Sequence, residues 1–302
     1  IIPRDGNKES LRGNAGISPV TSHLLVETPL IKEKLSFIAA GRTTYSSWLL
    51  GRLPNQALRN SRAAFYDLSG RLVYDINSSN MIELSSYSSN DSFRFNTDTT
   101  YDYRNNILAL RYRHTFSPKF LVIISATSSR YDYSISSRRQ QEDAFILDHN
   151  INYKGLKADF SLYSLTGHRL NFGTEAIRYR ILPGSLVPGS DSSLVTPKTI
   201  QRDNAYEAAL FLEDKITLTS RLSVNTGLRY SMFAAAGPKT ILKYDPEQSP
   251  GQSSVTDTIF AGSNEIYKSY HGPELRISLN FLLTPVSSLK INYSSTRQYL
   301  HL

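Results

Sequence analysis

The chain has 302 residues, of which 40% are hydrophobic, and it contains no run of about 18 apolar residues that would predict a transmembrane helix. Its formal net charge is +8, but the basic residues stand singly beside acidic ones, which argues against a nucleic-acid-binding surface. Since the chain has 0 cysteines, disulfide bonds, thiolate metal sites and cysteine nucleophiles are excluded. The chain starts at Ile1 without a signal peptide, so we expect a processed or partial chain.

Six candidate hairpins follow one another along the chain, and in each of them apolar and polar residues alternate. A period of two places the apolar set on one face of a strand and the polar set on the other. The first strand is predicted from Leu11 to Leu30, and its partner is LSFIAAGRTTY. We expect about 12 antiparallel strands of about nine to eleven residues, the length of a tilted transmembrane strand. The turns inside the hairpins are predicted at residues 31–34, 77–80, 117–119, 166–169, 219–221 and 285–288.

The clearest hairpin runs from Ala205 to Phe233 and turns at Thr-Ser-Arg. In its first arm Leu210 and Leu212 share one face, and in its second arm Leu228 alternates with a charged neighbour. A soluble sandwich would bury such an apolar face in a core, whereas an outer-membrane barrel would turn it to lipid.

The lengths of the connections favour the barrel. The turns inside hairpins are short, and the connections between hairpins are long, as in transmembrane β-barrels with short periplasmic turns and long extracellular loops. A Greek-key sandwich distributes long and short loops over both ends. We therefore predict an all-β, antiparallel transmembrane β-barrel, with one short helical piece, SSWLLGRLPNQALRN, inside a loop. The long loops are predicted at residues 46–63, 89–105, 134–144, 182–204 and 236–273.

The two faces of this barrel are predicted from the alternation. Polar replacement should be tolerated better at lumen positions such as Arg229 than on the lipid face, where a charge is costly. The predicted lipid-facing residues are Leu72, Leu110, Leu210, Leu212, Leu228, Ile277 and Leu279. Tyrosines suit the membrane–water boundary, although β-propensity alone also enriches them in sheets; the girdle candidates are Tyr74, Tyr112, Tyr206, Tyr230 and Tyr293. The predicted lumen-facing residues, which either pair with each other or a plug or contact solute, are Asp67, Arg71, Glu83, Arg111, Arg113, Glu207, Arg229, Glu274 and Arg276.

Catalytic and metal-binding patterns are lacking in the sequence. The six histidines stand far apart and form no HExxH spacing, and no G-x-S-x-G elbow, P-loop or GxGxxG is present. Acidic pairs such as Glu142-Asp143 and Glu213-Asp214 point to opposite faces of a strand, which does not suit joint acid–base work. We expect no enzyme activity, no catalytic residue, no metal and no cofactor.

Several segments, taken in order, resemble the TonB-dependent receptors of the Bacteroidota outer membrane, including those with a carboxypeptidase-regulatory-like domain. IIPRDGNK looks like the end of a plug domain, and SHLLVETPLIKEKLSFIAAGRTTY is similar to a first barrel hairpin. EAALFLEDKITLTSRLSVNTGLRYS and ELRISLNFLLTPVSSLKINYSSTRQYLHL resemble two later hairpins of these barrels. Each segment alone is weak evidence for the resemblance, but their combination in this order covers most of the chain.

The resemblance implies a barrel of 22 strands around a plug, of which about 12 strands would lie here. It divides the chain into residues 1–10, the end of the plug or its linker, and residues 11–302, the N-terminal part of a barrel that is incomplete at its C-terminus. The implied location is the bacterial outer membrane. The implied partners are the lipid bilayer with its lipopolysaccharide, the TonB complex through a missing N-terminal segment, and a surface lipoprotein lid, with no nucleic acid.

The implied function is TonB-dependent uptake of a large solute such as a siderophore, cobalamin, a glycan or a peptide. The alternative is a non-transporting outer-membrane barrel that acts as an adhesin or as a structural subunit of an envelope complex. We also expect that residues 1–302 do not close a barrel, since closure would pair the strand at Leu11–Leu30 with the one at Leu289–Leu302.

Overall fold

The computed structural model describes residues 4–96, 99–163 and 166–300. The helical segments in this part are α1 (Ser47–Leu50), α2 (Gln56–Arg59) and a 3-10 turn (Gln252–Ser254). The strands are β1 (Arg12–Ile17), β2 (Thr21–Ile31), β3 (Leu35–Thr44), β4 (Arg62–Asn77), β5 (Asn80–Arg94), β6 (Thr99–Ser117), β7 (Phe120–Ser137), β8 (Phe145–Leu162), β9 (His168–Pro188), β10 (Lys198–Thr199), β11 (Asp203–Thr217), β12 (Leu222–Ala236), β13 (Lys239–Tyr244), β14 (Val255–Ala261), β15 (Ile266–Thr284) and β16 (Ser287–Ser294).

The strands confirm the all-β, antiparallel prediction. Within the described ranges one sheet of 14 strands has the order β1-β2-β3-β4-β5-β6-β7-β8-β9-β11-β12-β15-β16, with β10 added to β9. Strands β13 and β14 form a separate two-stranded sheet inside the connection between β12 and β15. In the part of the chain that the structure describes, no ladder joins β1 to β16, in agreement with the prediction that these residues do not close a barrel. None of the described helices is long and apolar enough to cross a membrane.

The chain divides into two compact units. The first unit contains β1 to β5 and one half of each strand from β6 to β9; its ranges are Ile1–Leu110, Thr127–Lys154 and Arg180–Asp203. The second unit contains the other halves of β6 to β9 and the later strands; its ranges are Arg111–Ala126, Gly155–Tyr179 and Asn204–Leu302.

The short turns lie where the alternation predicted them. The turns between consecutive strands lie at residues 32–34, 78–79, 118–119, 218–221 and 285–286. Of the turn predicted at 166–169, residues 166 and 167 are turn and β9 already begins at His168, while its neighbours 164 and 165 lie outside the described residues. Gly167 has a φ of +79°, and its carbonyl accepts a hydrogen bond from the Thr217 N–H at 2.6 Å. Glycine suits this position because a side chain there would be strained.

The first predicted strand, Leu11–Leu30, is wrong in its boundaries because it is a hairpin of β1 and β2. Pro19 interrupts it, since proline has no N–H to donate to a ladder. Ser18 closes the turn: its N–H donates to the Thr21 carbonyl at 2.8 Å, and its hydroxyl accepts from the Thr21 N–H at 3.0 Å. Because the residues on both sides of Pro19 alternate, the period-two pattern alone did not show the break.

The strands are also longer than predicted, reaching 19 residues in β6 and 21 in β9. Accordingly, the loop predicted at 89–105 is largely strand, since β5 ends at Arg94 and β6 starts at Thr99. Strand β7 also extends into the loop predicted at 134–144, but only as far as Ser137. Polar composition favours a loop, but a strand needs only pairing partners. In β5, β6 and β7, strand pairing continues beyond the apolar residues into polar ones.

The connection between β3 and β4 contains the predicted helical piece as two short helices. The Asn55 side chain caps α2 by accepting from the N–H groups of Ala57 and Leu58. The indole of Trp48, on α1, donates to the Pro19 carbonyl in the β1–β2 turn at 2.8 Å. Arg52 lies over the Trp48 ring at 4.9 Å from its centroid. These contacts hold the connection against the first hairpin of the sheet.

Candidate functional site

Exposed leucines and isoleucines cover one face of the strands, which we call the leucine face. Leu210 keeps 65% of its surface exposed. Leu212 and Leu228 lie directly opposite each other on β11 and β12, so both strands contribute to the same face. Such a face on neighbouring strands marks contact with lipid or a partner rather than water. Of the predicted lipid-facing residues, five are exposed and two, Leu72 and Leu279, are half-buried; the exposed ones are Leu110, Leu210, Leu212, Leu228 and Ile277.

The predicted girdle tyrosines follow the same registers. Tyr230 pairs with Leu210 across β11 and β12, and Tyr293 pairs with Ile277 across β15 and β16. Tyr230 and Tyr293 are exposed, whereas Tyr74, Tyr112 and Tyr206 are half-buried. The hydroxyl of Tyr206 donates to the Asn264 amide oxygen at 2.9 Å. Their place at a membrane boundary stays a prediction.

A row of four phenylalanines was not predicted. Phe116, Phe120, Phe160 and Phe172, on β6 to β9, stack in sequence with ring centroids 5.3, 6.4 and 5.1 Å apart. They belong to the second unit, and each lies within a few residues of a short turn. Aromatic residues near strand ends were the available signal, but only the pairing register shows that the four rings form one row.

The opposite face, which we call the charged face, contains an ionic cluster around Arg229 in the second unit. The Arg229 guanidinium lies 2.9 Å from Glu175, 3.5 Å from Glu207 and 3.8 Å from Glu274. Arg229 and Glu274 are directly opposed on β12 and β15, and the Ser231 hydroxyl donates to Glu274 at 2.6 Å. Glu274 is only 5% exposed. One guanidinium thus faces three carboxylates.

The structure therefore brings together three residues of the predicted lumen set and adds Glu175. The sequence could not show Glu175, because it lies on β9 and reaches Arg229 only through strand pairing. That Arg229 tolerates polar replacement better than a lipid-facing position stays a prediction, but its removal has a cost, since it leaves several carboxylates close together without a cation.

In the first unit the charged face has a second cluster. Arg71 contacts Asp5 at 2.9 Å and Glu83 at 3.2 Å. Asp67 pairs with Arg42 at 2.5 Å instead, and Arg42 also lies over the Phe65 ring. The remaining lumen candidates, which are exposed in the structure, are Arg111, Arg113 and Arg276.

An aromatic ladder lies in the first unit on the side opposite to Asp132. Tyr103, Tyr133 and His149 stack across β6, β7 and β8, with ring centroids 4.7 and 5.6 Å apart. Asp132 and Asn150, which neighbour Tyr133 and His149 along the chain, hydrogen-bond to each other and so occupy the other face. The ladder offers phenol and imidazole edges for contact with a solute.

No group of three or more metal-ligating side chains was found among the described residues. His168 pairs with Asp214 at 2.7 Å. In the β13–β14 hairpin, the Lys243 ammonium lies 3.0 Å from the Asp257 carboxylate and lowers the pKa of that carboxyl below its usual value.

A family model described as TonB dependent receptor-like, beta-barrel, matches residues 41–297. The chain belongs to this family. The TonB-dependent receptor family and its structural neighbours are outer-membrane proteins of Gram-negative bacteria, and they are receptors for transport rather than enzymes. The resemblance seen in the sequence is thereby confirmed at the level of the family. No curated protein matches the chain.

Solved structures of TonB-dependent receptors show the same fold. The copper transporter OprC has a TM-score of 0.66 at 11% identity, over 93% of this chain and 44% of that one. The ferric citrate transporter FecA has a TM-score of 0.66 at 12% identity, over 96% and 44%. The ferripyoverdine receptor of Pseudomonas aeruginosa has a TM-score of 0.67 at 12% identity, over 96% and 43%. This chain thus spans less than half the length of these receptors.

Proposed function

We propose that the chain forms part of the wall of a TonB-dependent receptor that takes up a large solute across the bacterial outer membrane. Family membership supports the proposal, together with a leucine face suited to lipid and a charged face suited to a wet interior. We also propose that the receptor is of the Bacteroidota type, that it contacts lipopolysaccharide, that it is linked to TonB through a segment before Ile1, and that a surface lipoprotein forms its lid.

The observation that carries the proposal is the charge imbalance at Arg229. A wall that serves only as structure is best served by balanced pairs, because carboxylates left together without a cation repel one another. Among the residues that the structure describes, Glu175, Glu207 and Glu274 share the guanidinium of Arg229, so the cluster has room for a further cation from the interior. A basic side chain of a plug domain fits this need, and an adhesin or structural barrel would not require it.

The solute itself would meet other parts of the wall. The Tyr103–Tyr133–His149 ladder is the described surface best suited to contact an organic solute, since its ring edges combine hydrogen-bonding groups with apolar area. We propose that it contributes to the solute path.

Binding to TonB separates the two candidate functions. We expect the full-length receptor, purified in detergent, to be retained on an immobilised C-terminal domain of TonB, and to be released when its first periplasmic segment is deleted. Mass spectrometry of what co-purifies with the receptor would then identify the solute. A full-length receptor that shows no affinity for TonB and carries no solute would favour the adhesin or structural barrel instead.

A further inference from the structure

Residues Arg4 to Ser10, which we call the N-terminal strap, lie on the charged face of β2 to β4 in the first unit. The guanidinium of Arg4 lies 2.5 Å from the carboxylate of Glu27 on β2. Asp5 pairs with Arg71 at 2.9 Å, and Lys8 pairs with Asp75; both partners are on β4. Arg4, Asp5 and Lys8 of the strap therefore each face a side chain of opposite charge on β2 or β4.

Backbone contacts add to these ion pairs. The Asn7 N–H donates to the second Glu27 carboxylate oxygen at 3.1 Å. The Lys8 carbonyl accepts from the N–H of Glu33, in the turn between β2 and β3, at 2.9 Å. A Cβ atom on Gly6 would lie 2.6 Å from the Phe37 carbonyl oxygen, so the strap rests directly on the β3 backbone and only glycine fits there.

Burial beneath the strap shows how closely it packs. Ser36 and Val73 are opposed on β3 and β4, and they are 0% and 1% exposed. A single sheet layer cannot cover its own side chains to this extent. Val73 shares its face with Arg71, which binds Asp5 of the strap, so the strap lies on the side of the sheet where these side chains are covered.

We propose that the N-terminal strap is a fixed anchor, which stays on the wall when chain that precedes Arg4 is displaced. The inference rests on the proposed function, in which TonB pulls on the receptor from its N-terminal side. A pull along the chain would load contacts on β2, on β4 and on the β2–β3 turn together, since the strap bonds to all three. The displaced part of the chain would therefore end before Arg4. The strap would stay bound to the wall when a plug moves.

Force spectroscopy on the full-length receptor in lipid, pulled from an N-terminal handle, tests this proposal. We expect a separate rupture for the strap after the preceding chain has extended. This rupture should release about 2.5 nm of contour, since seven residues at about 3.6 Å each span that length. In a Glu27→Gln, Asp75→Asn double variant the force of this rupture should fall to about half, because two of the three ion pairs are lost.

Asp257→Asn is the matched control, because it also removes an ion pair but lies in the β13–β14 hairpin, away from the strap. It should leave the strap rupture unchanged. The proposal is overturned if the strap extends together with the preceding chain, or if the double variant ruptures at the wild-type force. Hydrogen exchange gives a second readout: fast exchange of the Asn7 and Glu33 amides in the unstressed receptor would also overturn it. Neither readout involves TonB, so a receptor without TonB affinity would refute the proposed function and leave these results intact.

Discussion

Leu210→Arg should lower the free energy of unfolding of the full-length receptor in lipid vesicles by about 2–4 kcal/mol if Leu210 lies near the membrane midplane. Leu210 is among the most exposed residues of the leucine face, and its neighbours across the ladder are also apolar or aromatic. An arginine there must keep its charge within hydrocarbon or distort the bilayer. Denaturant titration in vesicles of defined composition measures the change.

Ser278→Arg provides the control, because it introduces the same charge on the other face of β15. Ile277 beside it lies on the leucine face, so one step along the strand changes the surroundings from apolar to polar. We expect a loss well below that of Leu210→Arg. Equal losses for the two variants would show that the faces are assigned wrongly.

Arg229→Gln should lower the free energy of unfolding by about 1.5–3 kcal/mol, the range for hydrogen bonds to charged groups. The variant leaves Glu175, Glu207 and Glu274 close together without their shared cation. Since the repulsion comes from the carboxylates, Glu207→Gln in the Arg229→Gln background should recover part of the loss. The same denaturant titration, arranged as a double-mutant cycle, measures the coupling.

Glu213→Gln is a suitable comparison, because Glu213 accepts a hydrogen bond from Asn225 at 2.7 Å and stands outside the Arg229 cluster. It should not rescue Arg229→Gln. Additive losses for Arg229→Gln and Glu207→Gln would mean that the cluster is screened by water and contributes little to the wall.

The hairpins could be predicted because local signals specify them. The turn at 219–221 lies between two arms that alternate with period two, and the structure pairs these arms from Asn204↔Ala236 to Thr217↔Ser223. Strand ends were less predictable, since Arg104 and Asn106 continue the exposed alternation of Leu108 and Leu110 along β6 with polar side chains. Polar side chains show where the face of a strand leaves an apolar environment. They do not show where the hydrogen-bonded pairing of that strand ends.

The charged clusters show the limit of the sequence more clearly. Arg229 and Glu207 could be placed on one face from the alternation within their hairpin. Glu175, in contrast, enters through the β9–β11 pairing, whose register depends on the turn and loop between these strands. The position of the strap could likewise not be predicted, because nothing in RDGNKES indicates that this segment folds back onto β2 and β4.

The contact between Trp48 and Pro19 has a spectroscopic consequence. Trp48 is the single tryptophan among residues 1–302, so the indole emission of these residues comes entirely from the connection between β3 and β4. The Arg52 guanidinium lies over its ring, its indole N–H donates to the Pro19 carbonyl, and it is 45% exposed. A change in emission wavelength or quenching would thus follow the docking of this one connection, independently of the rest of the sheet.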